Sequence, residues 1–185
     1  LQDRFARFRK DRQRERKLAQ FTNKSVPSEK RDQTWRDNLR SKFVTTAKQY
    51  QGVPYAPKYH PPGSEHHNAP LYLDCCGLVR RALQDLTKDF GFRIGRWNQN
   101  YQFDTLPESV ESVEQLRPGD LIFVEGTYYK QNHRPQKYNL VHVEIFLGGE
   151  TGEATLGARD QKGVVKIHPS YKYTSKSYKI TNYYF

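Results

Sequence analysis

The sequence has no long hydrophobic run and only two cysteines in 185 residues. No stretch approaches the roughly 20 apolar residues that a membrane-spanning helix needs, so a membrane span is not expected. The N-terminus is charged from Asp3 onward and does not have the pattern of a secretory signal. Methionine is absent, including at position 1, so we expect a trimmed chain that could have lost such a signal, and the compartment stays open with a secreted or extracellular location slightly favoured. Cys75 and Cys76 are adjacent, and neighbouring residues rarely reach disulfide geometry without strain. An intrachain disulfide scaffold is therefore excluded, and at least one thiol is expected to be free.

What the sequence does have is positive charge, with a formal net charge of +11. Residues 1–40 contribute +7, as thirteen Lys and Arg against six Asp and Glu. A basic arm of this kind attracts polyanions, whether nucleic acid, acidic glycopolymer or anionic lipid. The alternative is a solvated leader without a partner. We therefore divide the chain into a basic, largely helical arm with its linker, residues 1–40, and a folded domain, residues 41–185.

The spacing of apolar residues predicts helices first and strands afterwards. Residues Asp32–Tyr50 have apolar side chains every three or four positions, which predicts a helix with an apolar face. A second helix, Cys75–Asp89, is predicted after Asp74, and the stretch 91–114 is predicted to be irregular. Short β-rich runs follow at 121–125, 140–147, 153–158, 164–168 and 178–184. This order predicts an α+β domain with an antiparallel sheet.

The two cysteines lie at the predicted start of the second helix. Asp74 is a good N-cap residue, so both cysteines fall in the first turn. A thiolate there gains from the helix dipole and the free backbone N–H groups, which lowers the pKa of the thiol and raises its nucleophilicity. Cys75 shares a face with the apolar residues of the helix, whereas Cys76 is rotated towards Arg80. Cys75 is therefore the candidate nucleophile, and the alternative is a pair of buried structural thiols.

A nucleophilic cysteine needs a general base, which the fold can bring from far away in the sequence. Four of the six histidines lie in polar loops: His60, His66, His67 and His133. His142 differs because it lies inside the strand predicted over Asn139–Gly148. A histidine in mid-strand can be presented rigidly to a helix packed on the sheet, which makes His142 the candidate base; the alternative is a hydrogen-bonded structural histidine. The spacing of the loop histidines matches no closed zinc pattern, so no metal site is expected.

Four segments together resemble the NlpC family of cell-wall cysteine peptidases. Residues Asp74–Val79 resemble the Asp-Cys-Ser-Gly-Leu-Val nucleophile motif, and Ala47–Tyr55 resembles the Gly-x-Pro-Tyr approach to the active site. Residues Leu116–Phe123 resemble the Pro-Gly-Asp-Leu turn, and His142–Gly148 resembles the His-Val-Gly-Ile-Tyr-Leu-Gly strand. The segments occur in the family's order, cover about residues 43–170 and leave the basic arm outside.

The resemblance implies a papain-like α+β fold, in which the cysteine helix packs against an antiparallel sheet that carries the histidine. It also implies amide hydrolysis by a thiolate without a cofactor, commonly at the D-γ-glutamyl–diamino-acid bond of peptidoglycan stem peptides. Residue by residue, Cys75 takes the place of the nucleophile and His142 that of the base. Asp74 caps the helix, and Tyr55 takes the place of the tyrosine that lines the pocket near the nucleophile.

Three positions depart from the family's pattern or match it loosely. Cys76 replaces the usual serine, which is a nearly isosteric change. Glu144 replaces a glycine and puts a carboxylate on the strand face of His142, where we expect it to bear on specificity. The family's third polar residue, which orients the histidine, is expected on the next strand, where Glu153 and Thr155 project on one face. Glu153 is preferred, because a carboxylate would hold the imidazole tautomer and stabilise the imidazolium, and Thr155 is the alternative.

Three functions are consistent with these residues. The leading hypothesis is a thiol peptidase or amidase acting on peptide or peptidoglycan-derived substrates, with the basic arm holding it near an anionic polymer. The second is a thiol acyltransferase or deamidase on the same fold, since an amine can capture the acyl-enzyme instead of water. The third is a catalytically silent module that binds a peptide in its groove and nucleic acid through the arm. The presence of both Cys75 and His142 argues against the third, and the aromatic insert at Trp97–Phe103 predicts an atypical substrate groove.

Overall fold

A computed structural model describes residues 32–56, 60–106, 108–130 and 138–185. The predicted arm up to residue 31, including the helix predicted at its start, lies outside the described residues. None of the helices in the described part of the chain is long and apolar enough to cross a membrane.

The described residues form an α+β domain, which confirms the predicted fold class. The helices are α1 Gln33–Lys48, α2 Cys75–Asp85, α3 Thr87–Phe90 and α4 Gln99–Thr105. The strands are β1 Leu121–Tyr128, β2 Leu140–Gly148, β3 Ala154–Ala158, β4 Val165–His168 and β5 Tyr178–Tyr184. All neighbouring strands are antiparallel, and their order in the sheet is β4-β3-β2-β1-β5. The predicted β-rich runs all correspond to strands of this sheet.

Helix α1 crosses the boundary that the sequence placed at residue 40. It begins after Asp32, whose side chain accepts a hydrogen bond of 2.8 Å from the backbone N–H of Trp35. Leu39 is buried, and the Arg40 guanidinium forms an ion pair with the half-buried Asp120. Residues 33–40 therefore belong to the folded domain and not to the arm.

Helix α4 lies within the stretch that the sequence predicts to be irregular, residues 91–114. No apolar repeat marks it, but Tyr101 and Gln102 are buried. The Nε2 of Gln102 donates a hydrogen bond of 2.8 Å to the carbonyl oxygen of Cys76. Helix α4 thus supports the first turn of α2.

The two faces of the sheet are covered by different parts of the chain. On one face, Val143 and Ile145 of β2 pack with the buried side of α2 in the main core. On the other face, His142 and Glu144 lie opposite Val124 and Ile122 of β1. Val124 and Ile122 pack in two small hydrophobic clusters with aromatic residues of the C-terminal segment. Because side chains alternate along a strand, His142 and Glu144 project away from the face on which α2 packs. This corrects the expectation that His142 faces the helix.

Candidate active site

The N-terminus of α2 places Cys75 against β2. Asp74 Oδ1 accepts a hydrogen bond of 2.6 Å from the backbone N–H of Gly77, which caps the helix and fixes its first turn. The same oxygen accepts a bond of 3.4 Å from the Cys76 thiol. Cys75, the first helical residue, is 6% exposed and hydrogen-bonds the backbone of Val143. Val143 adjoins His142 in the strand, so the structure brings the candidate nucleophile to the segment that carries the candidate base.

The acidities of the two thiols differ from the sequence-based expectation. The pKa of Cys75 is raised well above its ordinary value by the contact with Cys76 and by burial, and the hydrogen bond with Val143 lowers it by less. The same contact between the thiols lowers the pKa of Cys76. The expected lowering at a helix N-terminus is therefore outweighed at Cys75 by its surroundings. Cys75 needs a base to remove its proton before it can act as a nucleophile.

His142 is held by a carboxylate from its own strand. Its Nε2 lies 2.9 Å from Glu144 Oε1, and both residues are buried. Positions two apart on a strand share a face, so the His-x-Glu spacing produces this contact directly. When Nε2–H donates to the carboxylate, the neutral imidazole has its lone pair on Nδ1. That nitrogen is the one able to accept a proton.

Glu144 is the centre of a buried polar network. Thr155 Oγ1 donates a hydrogen bond of 2.5 Å to Oε2, and Arg159 donates from Nε to Oε1 at 2.6 Å and from Nη2 to Oε2 at 2.8 Å. Burial by itself raises the pKa of Glu144, but the hydrogen bonds from Arg159 and His142 lower it to about 2. The carboxylate is therefore ionised at any physiological pH.

Gly157 provides the space that this carboxylate occupies. It lies on β3, and a Cβ at this position would be 2.7 Å from Oε1 of Glu144 and 2.9 Å from its Cδ. Both distances are shorter than van der Waals contact allows. Any side chain at position 157 would therefore displace the carboxylate of Glu144 from this position.

The structure does not place Glu153 at His142. Glu153 lies just before β3 at the surface, where its carboxylate accepts hydrogen bonds of 2.5 Å from Ser170 Oγ and Lys172 Nζ. These contacts lower the pKa of Glu153, Lys172 contributing most. Thr155 reaches His142 only through Glu144. The carboxylate next to the imidazole is thus Glu144, to which the sequence assigned an effect on specificity.

A cavity of about 100 Å³ lies beside His142. Its lining includes Tyr55 and Arg159, and Tyr173 contributes a ring edge-on to the imidazole, with centroids 5.9 Å apart. Burial raises the pKa of Tyr55, and the nearby Cys75 adds to the effect. Cys75 itself is not among the described residues that line the cavity, but it is near enough to Tyr55 to raise the pKa of that side chain.

The loop histidines have structural contacts. His60 stacks on the ring of Tyr72 with centroids 5.4 Å apart, and His67 Nδ1 lies 2.8 Å from the carbonyl oxygen of His60. Within residues 32–56, 60–106, 108–130 and 138–185, no group of three or more His, Cys, Asp or Glu side chains could hold a metal ion. His133 lies outside the described residues.

Sequence reasoning missed Arg159 and the role of Gly157. Arg159 is the first residue after β3, and no periodicity indicates where the chain turns there. The available signal was the His-x-Glu spacing at His142, because a carboxylate buried in mid-strand requires a cationic or hydrogen-bonding partner. A search for that partner among nearby Arg and Lys residues would have included Arg159.

Solved structures of NlpC/P60 domain proteins have this fold. The peptidoglycan hydrolase RipB from Mycobacterium tuberculosis matches with a TM-score of 0.52 and 21% identity, over 95% of this chain and 83% of its own. The P60 domain of an antigen from M. avium subspecies paratuberculosis matches with a TM-score of 0.51 and 21% identity, over 80% and 93%. NlpC2 from Trichomonas vaginalis matches with a TM-score of 0.50 and 18% identity, over 76% of this chain but only 43% of its own.

No protein-family model and no curated protein sequence matches the chain. At the identities of the structural matches, the similarity concerns the fold. The chain therefore has the papain-like α+β fold of NlpC/P60 domains, as the four sequence segments predict.

Proposed function

We propose that the chain is a cysteine hydrolase that cleaves an amide bond in peptidoglycan stem peptides, with Cys75 as nucleophile and His142 as base. The observation that supports it best is the 2.9 Å contact between His142 Nε2 and the ionised Glu144. This contact leaves Nδ1 as the proton acceptor, in the strand whose neighbouring residue, Val143, hydrogen-bonds Cys75. A thiol with a raised pKa requires such a base.

The reaction begins with transfer of the Cys75 proton to Nδ1 of His142. The thiolate attacks the carbonyl carbon of the scissile amide, and the imidazolium, stabilised by Glu144, then gives its proton to the leaving amine. The product is a thioester on Cys75. His142 next removes a proton from water, which hydrolyses the thioester and restores the thiol. The reaction requires that substrate binding expose the sulfur of Cys75 and bring it within reach of Nδ1, since the residue is 6% exposed and His142 projects away from the face on which α2 packs.

The substrate class rests on the resemblance and on the fold. RipB is a peptidoglycan hydrolase, and the match with it covers 95% of this chain and 83% of RipB. The four sequence segments resemble a family that cleaves the D-γ-glutamyl–diamino-acid bond, so this is the bond that we propose. The basic arm would hold the enzyme near anionic cell-wall polymer.

Digestion of defined muropeptides, followed by mass spectrometry, tests the proposal. The wild type should release a product cut at the D-γ-glutamyl bond, and Cys75→Ala should release none. Arg117→Gln is the matched control, because the Arg117 side chain lies at the surface, where it forms an exposed ion pair with Asp37. Cleavage by Cys75→Ala would exclude Cys75 as nucleophile. A product that carries an added amine in place of water would instead indicate an acyltransferase.

A further inference from the structure

We infer that Arg159 is a positioning residue for His142, which acts through Glu144 by fixing the plane of its carboxylate and balancing its charge. The inference deepens the proposed function and rests on it. Sequence reasoning assigned no role to Arg159, whose guanidinium contacts Glu144, Ser170 and Tyr173.

The guanidinium is fixed by four contacts with three residues. Nε and Nη2 donate to the two oxygens of Glu144 at 2.6 Å and 2.8 Å. Nη2 also donates to the carbonyl oxygen of Ser170 at 2.7 Å, and the guanidinium carbon lies 3.8 Å from the ring centroid of Tyr173. Arg159 is only 5% exposed. A two-point contact with a carboxylate defines its plane, which a single hydrogen bond does not.

The plane of the carboxylate decides where His142 points. Oε1 of Glu144 accepts from both Arg159 Nε and His142 Nε2, at 2.6 Å and 2.9 Å. Rotation of the carboxylate would break the contact with the imidazole. Thr155 Oγ1 also donates to Oε2, so Arg159 and Thr155 together restrain this rotation.

The charge of Arg159 is as important as its geometry. A buried carboxylate without a partner would either take up a proton or hold His142 as imidazolium. The ionisable or polar groups around this site include Tyr55 and the nearby Cys75, Tyr128 on β1, Glu144 on β2, Thr155 on β3, Asp160 after β3, His168 on β4, and Tyr173 and Tyr178 from the C-terminal segment. Among these and Arg159, only Arg159 is permanently positive. When this positive charge is removed, the titratable groups around the site release their protons less readily. Their titration therefore moves to higher pH.

Two variants separate charge from geometry. Arg159→Gln removes the charge, whereas Arg159→Lys keeps it but cannot make the two-point contact. Arg117→Gln, which removes an exposed arginine paired with Asp37, is the control. For each protein, kcat/KM on a stem peptide and the rate of Cys75 alkylation by iodoacetamide are measured against pH. The second readout needs no substrate.

For Arg159→Gln we expect the acid limb of both profiles to move to higher pH by about one unit, since a neighbouring charge shifts a pKa by roughly 1–3 units. Turnover should fall at least roughly tenfold, with KM little changed, because the base is misplaced and binding is not. Arg159→Lys should lose turnover while its acid limb stays close to that of the wild type. Arg117→Gln should match the wild type in both profiles.

A folded Arg159→Gln protein with wild-type profiles would overturn the inference. If Arg159→Gln does not fold, as judged by near-UV circular dichroism, the double variant Glu144→Gln/Arg159→Gln decides. We expect it to be no less active than Glu144→Gln, because Arg159 acts through Glu144; a further loss would contradict this. Alkylation of Cys75 that does not change in His142→Ala would contradict the proposed function itself, which distinguishes the two failures.

Discussion

His142 and Glu144 are two residues apart on β2, and His142 Nε2 lies 2.9 Å from Glu144 Oε1. The carboxylate that contacts the histidine therefore comes from the same strand and not from the next one. Thr155, on the next strand, donates a hydrogen bond to the other carboxylate oxygen, Oε2. Glu144 thus orients the proposed base, His142, and Thr155 in turn holds Glu144.

The two glutamates should differ sharply in their importance. Glu144→Gln should lower kcat by at least roughly tenfold, because a neutral amide stabilises an imidazolium less than a carboxylate does. Glu153→Gln should leave kcat nearly unchanged, because its carboxylate contacts Ser170 and Lys172 at the surface. Steady-state kinetics on one stem peptide measures both. A larger loss in Glu153→Gln than in Glu144→Gln would return Glu153 to the orienting role.

Gly157→Ala should disturb the site without touching Cys75 or His142. The new Cβ would lie 2.7 Å from Oε1 of Glu144, so the carboxylate must move away from the imidazole. We expect a loss of kcat close to that of Glu144→Gln, together with a lower melting temperature, because the displaced carboxylate also strains its pair with Arg159. Gly152→Ala is a control, since a Cβ there meets no atom within 4 Å, although its φ of +71° adds backbone strain. Wild-type kcat in Gly157→Ala would show that the carboxylate position does not matter.

The order of helices and strands could be predicted because the periods of 3.6 and 2 are visible in the sequence. Helix α4 could not, because its buried residues, Tyr101 and Gln102, are adjacent and form no repeat. The contact of Arg159 with Glu144 depends on the register of β3 against its neighbours. In this register Phe146 lies opposite Thr155, which brings the end of β3 close to Glu144. The sequence alone does not give this register.

The choice of Glu153 failed for a related reason. Alternation along a strand places Glu153 and Thr155 on one face, but β3 begins at Ala154, so the alternation does not extend to Glu153. The assignments of Cys75 and His142 to catalysis stay predictions.

His168 should make the stability of the fold depend on pH. It is buried, and its Nε2 has no hydrogen-bond partner among the described residues. Burial, against the opposing effect of Glu144 and with smaller contributions from Arg159 and Lys166, lowers its pKa from 6.5 to about 4. Between pH 6.5 and 4 the unfolded state binds the proton more tightly, so the free energy of unfolding falls as the pH falls. The loss is at most about 3 kcal/mol, at roughly 1.4 kcal/mol per pKa unit.

Urea unfolding at several pH values between 4 and 7 measures this dependence. His168→Gln should have a flatter profile than the wild type in this window, and His67→Gln, at an exposed loop position, should not. If His168→Gln and the wild type lose stability in parallel, His168 does not carry the dependence.

The basic arm can be tested separately from the domain. Residues 1–31 hold eleven Lys and Arg against four Asp and Glu, a net charge of +7. Their deletion should weaken binding to an anionic polymer and remove most of its salt dependence, because released counterions scale with the charges neutralised. Turnover of a small uncharged peptide should stay nearly constant. The truncation should end before Asp32, which caps α1, since a deletion to residue 40 would remove half of that helix. Loss of small-peptide turnover in the shorter deletion would show that the arm supports the domain.

The nucleophile is tested most directly by the site of the acyl group. The wild type is mixed with a stem peptide and quenched in acid during turnover, and tandem mass spectrometry locates the thioester within the peptide that contains both cysteines. Acidity by itself would favour Cys76, whose pKa is lowered while that of Cys75 is raised. We predict that the acyl group is on Cys75, because His142 removes the proton of that thiol, and that Cys75→Ala forms no adduct. An acyl group on Cys76 would contradict it.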